Sequence, residues 1–157
     1  MNKVIVALSL CLVLVTTALG CGSKAGEVKI DAEMGASALA ALADSHIRGY
    51  VDSMEALAAT LEVQSARWQD MAGLLQKIDD AGATVWFVTP DGSYYTAEQG
   101  KTDQNLSDRD YFPTLMAGEK VIGSLVVSKS TGKASLIAAV PVTKEAKVVG
   151  AIGCSIF

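Results

Sequence analysis

The chain has 157 residues, with 13 Lys or Arg, 17 Asp or Glu and one His, and a formal net charge of −4. This balance excludes the basic footprint of a nucleic-acid-binding protein, and it is too weakly acidic to indicate a disordered chain. The length suits one domain with a sizeable core.

The first 20 residues are typical of an export signal. A short basic segment, Met1–Lys3, precedes an apolar segment, Val4–Leu19, which is too short and wrongly flanked for a membrane span. The small residues before Cys21 resemble the lipobox of bacterial lipoproteins, although Ala18 stands where that pattern prefers leucine. The resemblance implies that Cys21 is lipidated and anchors an extracytoplasmic protein to a membrane, at the periplasmic face of an outer membrane or at the cell surface. Simple secretion and an uncleaved anchor are the alternatives.

A tether and a long helix are predicted next. Residues 21–30 begin with a Gly-, Ser- and Lys-rich stretch and are predicted to form the tether. Residues 31–80 are predicted to form the long helix, which Asp31 can cap and which Gly49 can kink. Two interleaved rows with a seven-residue period carry this prediction: Ile47, Met54, Leu61, Trp68 and Leu75, and Tyr50, Leu57, Gln64, Met71 and Ile78.

The apolar stripe on this helix has two interpretations. Val51 and Ala58 make it wider than a coiled-coil seam, which favours burial of the second half against a sheet of the same domain. The first half can instead pair with a second copy, so a homodimer through the helix remains open.

Residues 81–157 are predicted to form the sheet. β-branched and aromatic segments at 84–89 and 93–97 flank the turn Pro90-Asp91-Gly92 and form a hairpin. The polar segment 98–108 is predicted to be a loop.

A short helix and three more strands follow. The helix runs from Tyr111 to about Met116, with Asp110 as its cap, and the strands are predicted at 121–128, 134–142 and 148–157. We therefore expect an α+β fold, in which the long N-terminal helix packs on an antiparallel five-stranded sheet and both form one domain.

One series of landmarks resembles a known family. It comprises Leu106–Phe112, Gly118, Ser130–Lys133, Pro141 and Val149–Gly153. The series is similar to that of Cache domains, the extracytoplasmic sensor domains of bacterial chemoreceptors and sensor kinases. The resemblance covers residues 79–157 well and implies a single PAS-like Cache module that binds a small molecule and is not an enzyme.

Arg109 is the sharpest candidate for ligand binding. Its guanidinium can pair bidentately with a carboxylate, and the neighbouring rings of Tyr111 and Phe112 could exclude water. The alternative is that Arg109 forms a salt bridge with Asp108 or Asp110 and only fixes the loop.

The family resemblance implies further site residues. In amino-acid-sensing Cache domains an Arg-x-Trp-Tyr segment holds the ligand carboxylate, and Arg109, Tyr111 and Phe112 occupy those positions. Those domains bind the ligand amine with two aspartates, whose places are taken here by Ser128 and Ser155.

The two serines disfavour an amino-acid ligand. An ammonium group in a pocket without a carboxylate would cost at least ~2 kcal/mol. A small monocarboxylate or hydroxy acid fits the remaining groups better. Trp86, Tyr94 and Tyr95 are further candidates, but strand alternation allows only one of the two tyrosines to face the pocket.

Catalytic, metal and cofactor sites have little support. His46 is the only histidine and lies on the predicted helix, so no Ser/His/Asp set and no metal-ligand cluster can be assembled. Gly132-Lys133 is followed by Ala134, not by the Ser or Thr of a phosphate loop, and is interpreted as a hairpin turn.

The sequence thus predicts an extracytoplasmic lipoprotein that binds or senses a small organic anion, in particular a carboxylate. It is expected to have no output domain of its own and to signal through a membrane protein partner. The alternatives are an interaction or structural lipoprotein with a degenerate Cache pocket and, less favoured, an enzyme with an unfamiliar site.

Overall fold

Three helices precede the sheet in a computed structural model, which describes residues 32–79 and 82–157. They are α1 (Ala32–Ala58), α2 (Leu61–Gln64) and α3 (Trp68–Leu75). The chain divides into two compact units, 1–36 and 37–157, and the second contains nearly all described residues. The predicted signal segment, the tether, Asp31 and Cys21 lie outside the described residues.

The predicted long helix is interrupted twice, and neither break is at Gly49. The first break follows Ala58, where the Thr60 hydroxyl donates to the Leu57 carbonyl at 2.7 Å and accepts from the Val63 N–H at 3.4 Å. The second break contains Ala66 with a left-handed φ of 55°. The breaks shift the phase of the stripe, and Leu61, which belongs to the predicted row, is 81% exposed.

The sheet has six antiparallel strands in the order β3-β2-β1-β6-β5-β4. A short helix, α4 (Phe112–Met116), lies between β3 and β4. The strands are β1 (Ala83–Val88), β2 (Ser93–Thr96), β3 (Gly100–Asn105), β4 (Val121–Val127), β5 (Ala134–Lys144) and β6 (Lys147–Ile156).

The α+β prediction is confirmed, but the expected count of five strands is one too low. Strand β3 lies within residues 98–108, which the polar pattern predicts to be a loop, and it pairs with β2 at one edge of the sheet. Its sequence, GKTDQN, contains no apolar side chain, and an exposed edge strand has no need of one. For this reason the hydrophobic pattern contains no strand signal there.

The sheet carries a hydrophobic core on each face. Alternate residues of one strand serve opposite cores: Phe87 belongs to the core that also contains residues of α1, α2 and α3, whereas Trp86 belongs to the other. Helix α4 and the loop before it contribute Leu106, Phe112 and Leu115 to this second core. The candidate site lies on this second face.

Candidate ligand-binding site

A small cavity lies on the second face, between the sheet and the loop that leads into α4. Its volume is about 10 Å³, which is room for about one water molecule. The residues that line it come from five strands and two loops: Trp86, Tyr94, Leu106, Arg109, Tyr111, Val126, Ser128, Lys129, Ile137 and Ser155.

Backbone hydrogen bonds hold the loop in place over the sheet. The Leu106 N–H donates to the Gly92 carbonyl in the β1–β2 turn at 2.9 Å. The Arg109 N–H then donates to the Leu106 carbonyl, and the Phe112 N–H donates to the Arg109 carbonyl. These two tight turns direct Arg109 towards the cavity.

Arg109 has one hydrogen-bond partner and one buried nitrogen without a partner. Its Nη2 donates to the Val127 carbonyl, at the end of β4, at 2.7 Å. Its Nε is buried and has no partner among the described residues. The alternative salt bridge is not formed: Asp108 pairs instead with Lys129, and no ion pair of Arg109 occurs within the described part of the chain.

Lys129 is a second cation at the cavity, and no sequence pattern indicated it. Its Nζ donates to the Asn105 carbonyl and to Asp108 Oδ1, both at 2.6 Å. The hydrogen bond from Lys129 is the main cause that lowers the pKa of Asp108, and the charge of Arg109 adds to it. Asp108 itself does not line the cavity.

Three aromatic rings form the wall of the cavity. The Trp86 ring centroid lies 6.1 Å from that of Tyr94 and 6.5 Å from that of Tyr111. Burial raises the pKa of Tyr111 to about 12, and the positive charge of Arg109 opposes this rise. Burial also raises the pKa of Tyr94, against a hydrogen bond with Ser130 and the charge of Arg109.

Strand alternation separates the two adjacent tyrosines. Tyr94 faces the cavity, whereas Tyr95 packs on the opposite face, where its ring stacks on Trp68 with a centroid distance of 5.3 Å. The Tyr94 hydroxyl is 3.3 Å from Ser130 Oγ, which is 3.1 Å from Ser128 Oγ. A chain of hydroxyl groups therefore reaches the cavity, and sequence reasoning missed Ser130 as a member.

Four of the five predicted ligand-binding residues lie together around the cavity. They are Arg109, Tyr111, Ser128 and Ser155, and the Ser155 hydroxyl accepts from Trp86 Nε1 at 3.2 Å. Phe112 does not line the cavity, because it begins α4 and its ring is buried in the adjacent core. No carboxylate lines the cavity, and residues 32–79 and 82–157 contain no His/Cys/Asp/Glu group that could hold a metal ion.

Comparison with known proteins gives a fold and no sequence relative. No protein-family model matches the chain, and no curated protein does. Among solved structures, the sensor domain of the V. cholerae histidine kinase DctB matches with a TM-score of 0.64 and 15% identity, covering 76% of this chain and 52% of that one. The extracellular domain of the putative histidine kinase rpHK1S-Z16 matches with a TM-score of 0.62 and 16% identity, covering 73% and 51%.

A chemoreceptor domain is also among the solved structures that match this fold. The ligand-binding domain of Campylobacter jejuni Tlp3, in complex with 4-methylisoleucine, matches with a TM-score of 0.59 and 10% identity, covering 76% and 53%. The chain thus has the α+β fold of bacterial sensory domains. That fold is of the Cache type, as the sequence resemblance predicted. The chain spans about half the length of these structures.

No membrane-spanning helix is found within residues 32–79 and 82–157, because none there is both long and apolar enough.

Proposed function

We propose that this protein is an extracytoplasmic sensor domain that binds a small organic anion through a carboxylate group. The observation that carries the proposal is the state of Arg109, whose Nε is buried at the cavity without a hydrogen-bond partner. A buried guanidinium donor left without a partner is costly, and an incoming carboxylate can satisfy it.

The charges around the cavity favour an anion over an amino acid. Two cationic side chains, Arg109 and Lys129, line it, and no carboxylate does. An α-ammonium group would therefore enter the cavity without a counter-charge among its lining residues. The hydroxyls of Ser128 and Tyr94 are neutral partners, which suit a monocarboxylate or a hydroxy acid.

Binding requires the cavity to open, since about 10 Å³ does not hold a carboxylic acid. The contact that must yield is the 2.7 Å bond from Arg109 Nη2 to the Val127 carbonyl. A ligand carboxylate would replace this neutral acceptor with a bidentate ionic pair, which is the stronger arrangement. Ligand binding would thus break the contact between Arg109 and the end of β4, while the bonds from Lys129 to Asn105 and Asp108 still hold the loop.

The small cavity also favours a second candidate function. An interaction or structural protein with a degenerate pocket would show the same closed arrangement of rings over Arg109. In that case the guanidinium would serve only to tie the loop to β4.

The export signal and the lipobox-like sequence support two further parts of the proposal. Cys21 would carry a lipid anchor, and the protein would pass its signal to a membrane protein partner. Loss of membrane association in a Cys21→Ser variant tests the anchor; retention on the membrane would exclude it. We also propose that the protein forms a homodimer through the first half of α1.

A thermal-shift titration tests the ligand class. Acetate, lactate and malate are compared with methylamine and leucine as probes of the purified protein. A carboxylate present at 100 times its Kd should stabilise the fold by about 2.7 kcal/mol, which raises Tm by several degrees. The amine and the amino acid should give no shift.

Variants of the arginine locate the site. Arg109→Gln should weaken carboxylate binding at least about 100-fold, and Arg109→Lys, which keeps the charge but loses the planar fork, about tenfold. Arg48→Gln is the matched control, because Arg48 is exposed on α1 and pairs with Asp44 in its own helix. No shift with any probe, or equal binding by Arg109→Gln, would favour the degenerate pocket.

A further inference from the structure

Two buried side-chain atoms in the described part of the chain have no hydrogen-bond partner. One is Arg109 Nε, which the proposed function assigns to a ligand carboxylate. The other is the hydroxyl of Ser135, a residue that is only 4% exposed and that sequence reasoning did not single out.

Ser135 lies on the same face of the sheet as the cavity. It is the second residue of β5, and its cross-strand partner on β4 is Val126, which lines the cavity. Two residues along β5, and therefore on the same face, Ile137 also lines the cavity and pairs with Ser155 on β6. Ser135 does not itself line the cavity, but it lies beside two residues that do, Val126 and Ile137, on the same face of the sheet.

The other buried serines on this face all have partners. The Ser155 hydroxyl accepts from Trp86 Nε1, and the Ser128 hydroxyl accepts from the Thr131 N–H at 3.3 Å and contacts Ser130 Oγ. A buried hydroxyl without a partner destabilises the fold, whereas alanine would fill nearly the same volume without that cost. Ser135 therefore differs from these serines, because its hydroxyl stabilises no other group of the described chain.

We propose that Ser135 is a ligand-binding residue, which bonds a second, neutral polar group of the ligand whose carboxylate Arg109 holds. This inference rests on the proposed function and narrows its ligand class. Since the apolar Val126 and Ile137 stand next to Ser135, the second group is an uncharged hydroxyl or carbonyl oxygen. The ligand is thus a hydroxy acid or an oxo acid.

Thermal unfolding without ligand provides the first test. Ser135→Ala should raise Tm by about 2–4 °C, because it removes a buried hydroxyl that has no partner. Ser155→Ala is the matched control and should lower Tm, because it leaves the buried Trp86 N–H without an acceptor. A fall of Tm in Ser135→Ala would overturn the proposal, since the hydroxyl would then already have a partner, such as a resident water.

Calorimetric titration provides the second test, with two pairs of probes: butyrate and 3-hydroxybutyrate, and propionate and lactate. The wild-type protein should bind one of the hydroxy acids about tenfold more tightly than its parent acid, and Ser135→Ala should abolish this preference. An unchanged preference in Ser135→Ala would overturn the role of Ser135 alone, provided that Arg109→Gln still abolishes binding. If Arg109→Gln binds the acids as the wild type does, or if no acid binds the wild type, the proposed function fails as well.

Discussion

At the scale of single residues, the candidate site is defined by a positive charge, that of Arg109, beside buried aromatic rings. Arg109 lies close enough to Tyr94 and Tyr111 for its charge to act on the pKa of both phenols. For Tyr111, burial is the larger effect and the pKa rises to about 12. The ring is therefore neutral at any physiological pH and can serve as a wall beside an anion without repelling it.

The raised pKa of Tyr111 predicts a loss of stability in alkali. Folding favours the neutral phenol, so this stabilisation is complete below the ordinary pKa of 10 and is lost as the pH rises towards 12. The loss amounts to about 2–3 kcal/mol. Denaturant unfolding at a series of pH values should therefore show a steeper decline for the wild type than for Tyr111→Phe. Parallel declines would show that the Tyr111 phenol is not shifted by folding.

The site could be predicted from sequence only where a local motif marked it. Among the residues that line the cavity, Arg109 and Tyr111 belong to one short motif, and Ser128 and Ser155 were predicted through the family resemblance. Lys129 and Ser135 were not predicted, because their proposed roles depend on which face of β5 or which loop end they occupy. Cross-strand register decides this, and no local pattern encodes it.

At the scale of elements, the central strands meet too closely for a side chain at Gly153 of β6. A Cβ atom there would lie 2.6 Å from the Ala139 Cβ, 2.7 Å from the Trp86 ring and 2.8 Å from the Ala138 carbonyl oxygen. The ring could move, but the backbone oxygen of the neighbouring strand cannot do so without disturbing the ladder. The close approach brings Trp86 over β6, where its indole N–H reaches Ser155.

Gly153→Ala should therefore destabilise the protein by about 2–3 kcal/mol. Gly49→Ala is the opposite control: this helical glycine has no atom within 4 Å of an added Cβ, and alanine should stabilise α1 by about 1 kcal/mol. Chemical denaturation of both variants measures the two values. A neutral Gly153→Ala would mean that the strands separate more easily than their packing implies.

The sequence pattern predicts apolar, buried elements better than polar, exposed ones. Strands β1, β5 and β6 are apolar and buried, and their prediction was correct to within a few residues. Strand β3 is polar and exposed, and the pattern missed it. The helix breaks were missed because the heptad rows continue across both of them. At the first break the Thr60 hydroxyl caps the start of α2, and at the second Ala66 adopts a left-handed conformation.

At the scale of the whole molecule, the first half of α1 has apolar surface that no other part of the described chain covers. Leu39 and Leu42 are 70% and 68% exposed, whereas burial of α1 residues begins at Val51. Between residues 37 and 50 the only Asp, Glu, Lys or Arg side chains are Asp44 and Arg48, which pair with each other at 2.7 Å. Two copies of this segment could therefore pack together without repulsion between like charges.

We expect the protein to dimerise through this segment. The double change Leu39→Glu, Leu42→Glu places charge on the apolar surface of both copies and should weaken association at least about 100-fold. Sedimentation equilibrium should show twice the monomer mass for the wild type and a monomer for the variant. Leu61→Glu is the control, because Leu61 is 81% exposed but lies on α2.

Ligand binding separates loss of the dimer from loss of the fold. The cavity lies on the opposite face of the sheet from the helix core, so the double variant should keep the carboxylate affinity that we propose for the wild type. A variant that is monomeric and still binds would show that the helix surface serves assembly alone. A wild type that is monomeric at every concentration would exclude self-association through this surface.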